Sequence, residues 1–107
     1  MSYDFSMYIE KNGKDYPLPV DFNMTSNLYP IFKEALGEPI MSLNGRLGKD
    51  CLVSLDLAIK DIEKNPEKYK PMEPSNGWGS IESAIKTLKT LLDWAFEYPD
   101  AQFEITC

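Results

Sequence analysis

The sequence predicts an α+β domain: a three-stranded, mainly antiparallel sheet packed on three helices as a two-layer sandwich. Three observations carry this. The N-terminal residues alternate apolar and polar side chains on both sides of Asn12-Gly13. At the other end, Phe103, Ile105 and Cys107 alternate with Gln102, Glu104 and Thr106. Between the two ends, apolar residues recur at helical spacing. Period two marks half-buried strands, and a period near 3.6 marks amphipathic helices. With 107 residues, 43% of them hydrophobic, the chain suits one domain spanning 1–107 with one core.

The first segment reads as a hairpin. Tyr3, Phe5, Met7 and Ile9 form one apolar set, and Tyr16, Leu18, Val20 and Phe22 form the next. Asn-Gly favours the two-residue turn that fits paired strands. Counting outward from that turn pairs Ile9 with Tyr16, Met7 with Leu18, Phe5 with Val20 and Tyr3 with Phe22. All four pairs then share one face. In this register Pro17 faces Tyr8 and Pro19 faces Ser6. Proline cannot donate to a ladder, so the second strand should be a sheet edge. The first strand is then central, with Ala101 to Cys107 on its other side.

Three helical stretches follow. Asn27 or Ser26 is placed to cap a short one, Leu28 to Leu36, with Pro30 in its first turn and Gly37 as its stop. The second, about Lys49 to Lys64, puts Leu52, Leu55, Ile59 and Ile62 on one stripe and ends before Asn65-Pro66. The third starts at Ser80 as N-cap and stops before Pro99. Its expected buried face is Ile81, Ala84, Ile85, Leu88, Leu92, Ala95 and Phe96, with Leu91, Trp94 and Tyr98 extending sideways. Residues 65–79 form the longest connection.

Composition narrows the function classes. There is no histidine, which removes the commonest general base and transition-metal ligand. Ser-His and Cys-His nucleophile pairs are therefore impossible. No phosphate-binding glycine motif and no EF-hand loop occurs, so neither cofactor nor metal is expected. Cys51 and Cys107 have no metal-ligand spacing and read as reduced thiols; a Cys51–Cys107 disulfide is the alternative. The net charge of −6 argues against nucleic acid as partner; with the acids spread along the chain it reads either as a solvated surface that keeps the chain in solution or as suited to a basic protein. No apolar run is long enough to span a membrane. The Met1-Ser2-Tyr3-Asp4 start has no basic or apolar stretch, so no signal peptide is expected.

Three groups of residues are candidates for a site. Asn23, Thr25 and Asn27 lie in an expected polar loop between the second strand and the first helix. Such residues serve turns and caps, or they line a pocket. Asn76, Gly77, Trp78, Gly79 and Ser80 precede the third helix. The glycines free the backbone around a tryptophan. The segment is either a rigid helix entry or a stacking wall beside N–H groups that hold an anion. Asp93, Glu97, Asp100 and Glu104 cluster in sequence near the C-terminal end of that helix, where acids oppose the dipole. They form a candidate acidic patch for a basic partner. Arg46, the one arginine, lies in an Asn44-Gly45 turn and is expected to pair with an acid.

The run Asn23 to Asn27 before a short helix resembles a motif of small uncharacterised proteins of phages, prophages and mobile elements. So does Asn65-Pro66-Glu67-Lys68-Tyr69 leading to Pro74-Ser75-Asn76-Gly77-Trp78-Gly79-Ser80, an amphipathic helix, Pro99-Asp100-Ala101 and a last strand. The resemblance spans most of the chain and is most specific at Asn-Gly-Trp-Gly. It implies no activity and no catalytic residues. It implies a bacterial host cytoplasm and, in that setting, an inhibitor or sequestering protein aimed at host defence. The expectation is a non-enzymatic protein that binds a host protein, such as a defence nuclease, by a basic surface. The alternative is a small-ligand or nucleotide binder using the Asn23–Asn27 loop and the Trp78 loop. An enzyme running on carboxylates is the least favoured class. A deep pocket between those loops favours the ligand binder, and a contiguous acidic or apolar surface with no pocket favours the protein binder.

Overall fold

The Asn12-Gly13 turn forms as its residues require, with both at positive φ, 52° and 76°. It joins β1 (Ser2–Lys11) to β2 (Lys14–Thr25). The computed structural model describes all residues, 1–107. After β2 come α1 (Tyr29–Leu36), α2 (Gly48–Lys64), the single turn α3 (Pro66–Tyr69), α4 (Ile81–Glu97) and β3 (Gln102–Thr106). The sheet is antiparallel in the order β2-β1-β3, so β1 is central and β2 is an edge. The chain is an α+β fold in which the helices cover one sheet face.

The hairpin register needs correction. Ile9 pairs with Tyr16 and Tyr8 with Pro17, but pairing then resumes at Ser6 with Asp21. Leu18, Pro19 and Val20 thus bulge opposite Met7 alone. Phe5 consequently meets Phe22, and Tyr3 meets Met24. Pro19 has no N–H to contribute, and a bulge is where a strand tolerates that. The slip is two residues, so the alternation survives and every side chain keeps its expected face. Met24 and Thr25 also belong to β2 rather than to a loop, as does Asn23. Asn23 is held there because its Nδ2 donates to Ser2 Oγ, Tyr3 O and Asp4 Oδ1 across the pair.

The inner sheet face builds the core. Tyr3, Phe5, Met7, Phe103 and Ile105 are buried against Phe32, Leu55, Leu88 and Leu91. Tyr3 stacks in tilted fashion on Phe5 and Phe32, at 5.7 and 6.1 Å between centroids. The helical layer does not cover the hairpin tip, so Tyr16 stays half exposed although it lies on the inner face.

The helices begin and end nearly as expected, with informative exceptions. Thr25, not Ser26 or Asn27, caps the turn into α1; its Oγ1 accepts from Asn27 N. Ser26 Oγ instead donates to Met1 O. Gly37 ends α1 in the left-handed region at φ 78°. On α4, Thr87, Leu91 and Trp94 are buried, whereas Ile85 and Leu92 are only partly so and Phe96 is 66% exposed. The buried stripe is rotated from the expected one towards Leu91 and Trp94, because α4 packs against both the sheet and α2. Gly48 opens α2 where the helices touch: a Cβ there would lie 3.0 Å from Ala95 Cα and Tyr98 O.

Residues 65–79, expected as a loop, contain α3. Tyr69 is fully buried and its hydroxyl donates to Asp61, which also accepts from Lys68 Nζ at 2.9 Å. The Tyr69 and Lys68 hydrogen bonds hold the Asp61 carboxyl below its usual range. Burial, and then the Asp61 bond, push the Tyr69 hydroxyl up.

The outer edge of β3 is sealed. Gly45 N donates to Phe103 O, Phe103 N to Arg46 O, and Ile105 N to Asn44 Oδ1. Arg46 meets Glu38 at 2.9 Å, the structural pair its position suggested. The open sheet edge is therefore β2, which carries Pro17 and Pro19.

Candidate functional site

The face of the sheet away from the helices has no covering layer. Register and alternation place Ser2, Asp4, Ser6, Tyr8 and Glu10 of β1 on it. From β2 come Asp15, Pro17, Asp21, Asn23 and Thr25, and from β3 come Gln102, Glu104 and Thr106. This surface holds five carboxylates, Asp4, Glu10, Asp15, Asp21 and Glu104, and no lysine or arginine. All seven ion pairs of the molecule lie elsewhere, on the helices and their connections. Lys11 and Lys14 close the hairpin on its other face, where Lys11 lies beside Ile9 and Tyr16.

Local bonds hold the face in shape without neutralising it. Asp4 accepts from Asn23 at 2.7 Å, and Glu104 accepts from Ser6 Oγ at 3.3 Å. Glu10 stands directly opposite Asp15, a like-charge pair that costs stability. Tyr8 sits amid this charge. Partial burial first, and then the charges of Asp15, Glu10 and Glu104, hold its hydroxyl above the ordinary value. Gln102 Nε2 donates to Gly45 O, while its buried Oε1 has no donor in the chain. An open cleft of about 480 Å³ is lined by Asp4, Phe5, Ser6, Asp21, Phe22, Asn23, Glu104 and Thr106.

The expected pocket between Asn23–Asn27 and Trp78 is not there. No cavity is lined by Trp78, Thr25 or Asn27. Asn23 faces the acidic cleft, Thr25 is a cap, and Asn27 is exposed at the start of the turn. Trp78 is 69% exposed. Ser80 caps α4 as expected, its Oγ accepting from Ser83 N at 3.1 Å. The Ile81 and Ser83 N–H groups at that helix start are already taken by side chains. Glu73 Oε2 accepts from Ile81 N at 2.8 Å and its Oε1 pairs with Lys70. The Ile81 bond, then the Lys70 bond, keep the Glu73 carboxyl below its ordinary value. Asn76 Oδ1 accepts from Trp78 N, and Gly77 N donates to Pro74 O.

The expected acidic patch also divides. Asp93 and Glu97 lie exposed on α4, and Asp100 pairs with Lys49 at 3.2 Å. Glu104 lies across the sheet from them, because Phe103 and Ile105 on either side of it are buried inward. Proximity in sequence grouped these four; strand alternation separates Glu104 and joins it to Asp4 and Asp21. Cys51 is buried and Cys107 exposed, and both are free. No group of three or more Cys, Asp or Glu side chains is placed to hold a metal ion, and no helix is long and apolar enough to cross a membrane. Compared with known proteins, the chain matches no family model, no curated protein and no solved structure.

Proposed function

We propose that this chain is a non-enzymatic interaction protein of phage or mobile-element type. It binds a basic surface of a host protein, one serving defence, in the bacterial cytoplasm. The observation that carries the reading is the uncovered sheet face with five carboxylates and no basic side chain. A sheet face that served only solubility would carry both signs, since opposite charges across strands stabilise and like charges do not. Here Glu10 opposes Asp15 with no cation on the face. A basic partner turns that repulsion into attraction and is steered to the face by its field.

The small-ligand alternative has less support. Glu73 occupies the α4 N-terminus, and the tryptophan lines no cavity. The cleft on the sheet face is acidic, which disfavours nucleotide phosphates.

Comparative capture from host lysate tests the proposal. Asp4→Asn/Asp21→Asn/Glu104→Gln neutralises the face, and Glu82→Gln/Asp93→Asn/Glu97→Gln removes the same charge from α4. The expected result is a protein retained by the wild type and the α4 variant, lost by the sheet variant, and released by salt. Equal retention by all three proteins would overturn the reading.

A further inference from the structure

One end of the open face meets the loop before α4. Its end row is Ser2 opposite Thr25. A Cβ on Gly79 would lie 3.2 Å from Thr25 Cγ2 and 2.8 Å from Leu28 Cδ2, so the loop before α4 abuts that end of the sheet. Gly79 also has φ 124°, so glycine is required there for space and for conformation alike. Trp78 is the next residue, with its side chain mostly in water. The loop that carries it is tied by the Asn76–Trp78 and Gly77–Pro74 bonds and by Glu73 on Ile81. An indole held out on a tethered loop loses little further freedom when a partner covers it.

We propose that Trp78 is the aromatic anchor of this docking surface and that the partner presents an arginine-rich segment. This rests on the reading of the open sheet face as a binding surface. A guanidinium stacks flat on an indole and also forks onto carboxylates with two parallel hydrogen bonds. Both acceptors are present, Trp78 exposed on the loop that abuts the Thr25 end of the sheet and Asp4, Asp21 and Glu104 on the face. A lysine ammonium is more strongly hydrated and has no planar fork, so it uses the two less well. A nucleobase also stacks on tryptophan, but its phosphates would meet five unpaired carboxylates.

Anisotropy titrations with labelled oligo-arginine and oligo-lysine peptides of equal length test this, with a single-stranded oligonucleotide as a third probe. Oligo-arginine is expected to bind the wild type more tightly than oligo-lysine. Trp78→Ala should weaken oligo-arginine binding about fivefold or more and abolish the preference. Its melting temperature should stay near that of the wild type. Trp78→Phe should retain part of the preference. Unchanged arginine affinity in Trp78→Ala overturns the anchor and leaves the acidic face standing. If the sheet variant binds oligo-arginine no worse than the α4 variant, the docking surface itself fails. Binding of the oligonucleotide, lost in Trp78→Ala, replaces the arginine-rich partner with a nucleic acid.

Discussion

Along β1, Phe5 and Met7 are closed into the core, whereas Asp4, Ser6 and Tyr8 between and beside them face outward. The same backbone thus serves two surfaces under different constraints. On the inner face each ring is packed on others, and Phe5 lies against Tyr3 and Phe22. On the outer face no second layer packs, and side-chain choice follows charge more freely. The inner residues account for the fold. The outer ones include a like-charge pair that the fold would be better without, which is why they point to a partner.

The largest test of this contrast substitutes neighbours on β3. Phe103→Ala removes a fully buried ring and should cost about 3–5 kcal/mol, a large part of a small domain's stability. Glu104→Gln, one residue away on the other face, should change stability by under about 0.5 kcal/mol. Urea midpoints measure both. Comparable losses would mean that the outer face is covered by something and the two-surface reading is wrong.

An intermediate effect is expected at Ser80, where the helical layer meets the Trp78 loop. Its Oγ bond to Ser83 N is a side-chain cap, and Ser80→Ala should cost about 1 kcal/mol. For a domain of this size that is a fall in Tm of roughly 4–8 °C. Glu73 still holds Ile81 N, so the helix should keep its start and the exposed tryptophan its place. A loss of arginine-peptide binding equal to that of Trp78→Ala would show instead that the cap positions the loop.

What the sequence revealed follows the range of the interactions. The hairpin, its turn, the edge role of β2 and the Ser80 cap rest on neighbours in sequence, and they were legible. The bulge was not, because counting outward from a turn assumes an unbroken ladder, and Pro19 breaks it. Helical spacing puts Phe96 on the apolar stripe but does not fix the stripe's rotation; contact with both the sheet and α2 sets that and leaves Phe96 exposed. Glu73 and Asn44 were missed because each satisfies a backbone N–H distant in sequence, Ile81 and Ile105. The acidic face had a readable signal. Asp4 and Glu10 alternate with the apolar set of the first strand, and Asp15 and Asp21 alternate with the apolar set of the second. Reading charge by proximity along the chain, rather than by strand face, gathered Asp93, Glu97 and Asp100 around Glu104 instead.

The smallest expected effect bears most directly on why the outer face is acidic. Glu10 and Asp15 are exposed and directly opposed across the hairpin. Like charges in that position destabilise, though exposure to water keeps the energy small. Asp15→Asn should therefore raise stability by about 0.2–0.5 kcal/mol at low ionic strength. In about 1 M salt the Debye length falls to roughly 3 Å, shorter than the gap between strands, and the gain should vanish. A double-mutant cycle with Glu10→Gln, read by urea midpoints at both salt concentrations, isolates the pair from any change in strand propensity. A coupling that appears at low salt and disappears at high salt means that the free protein carries a repulsion its fold does not require. A gain of the same size at both salt concentrations would instead trace to asparagine itself. The pair would then impose no electrostatic cost, and the case that its charges serve a basic partner would lose one of its supports.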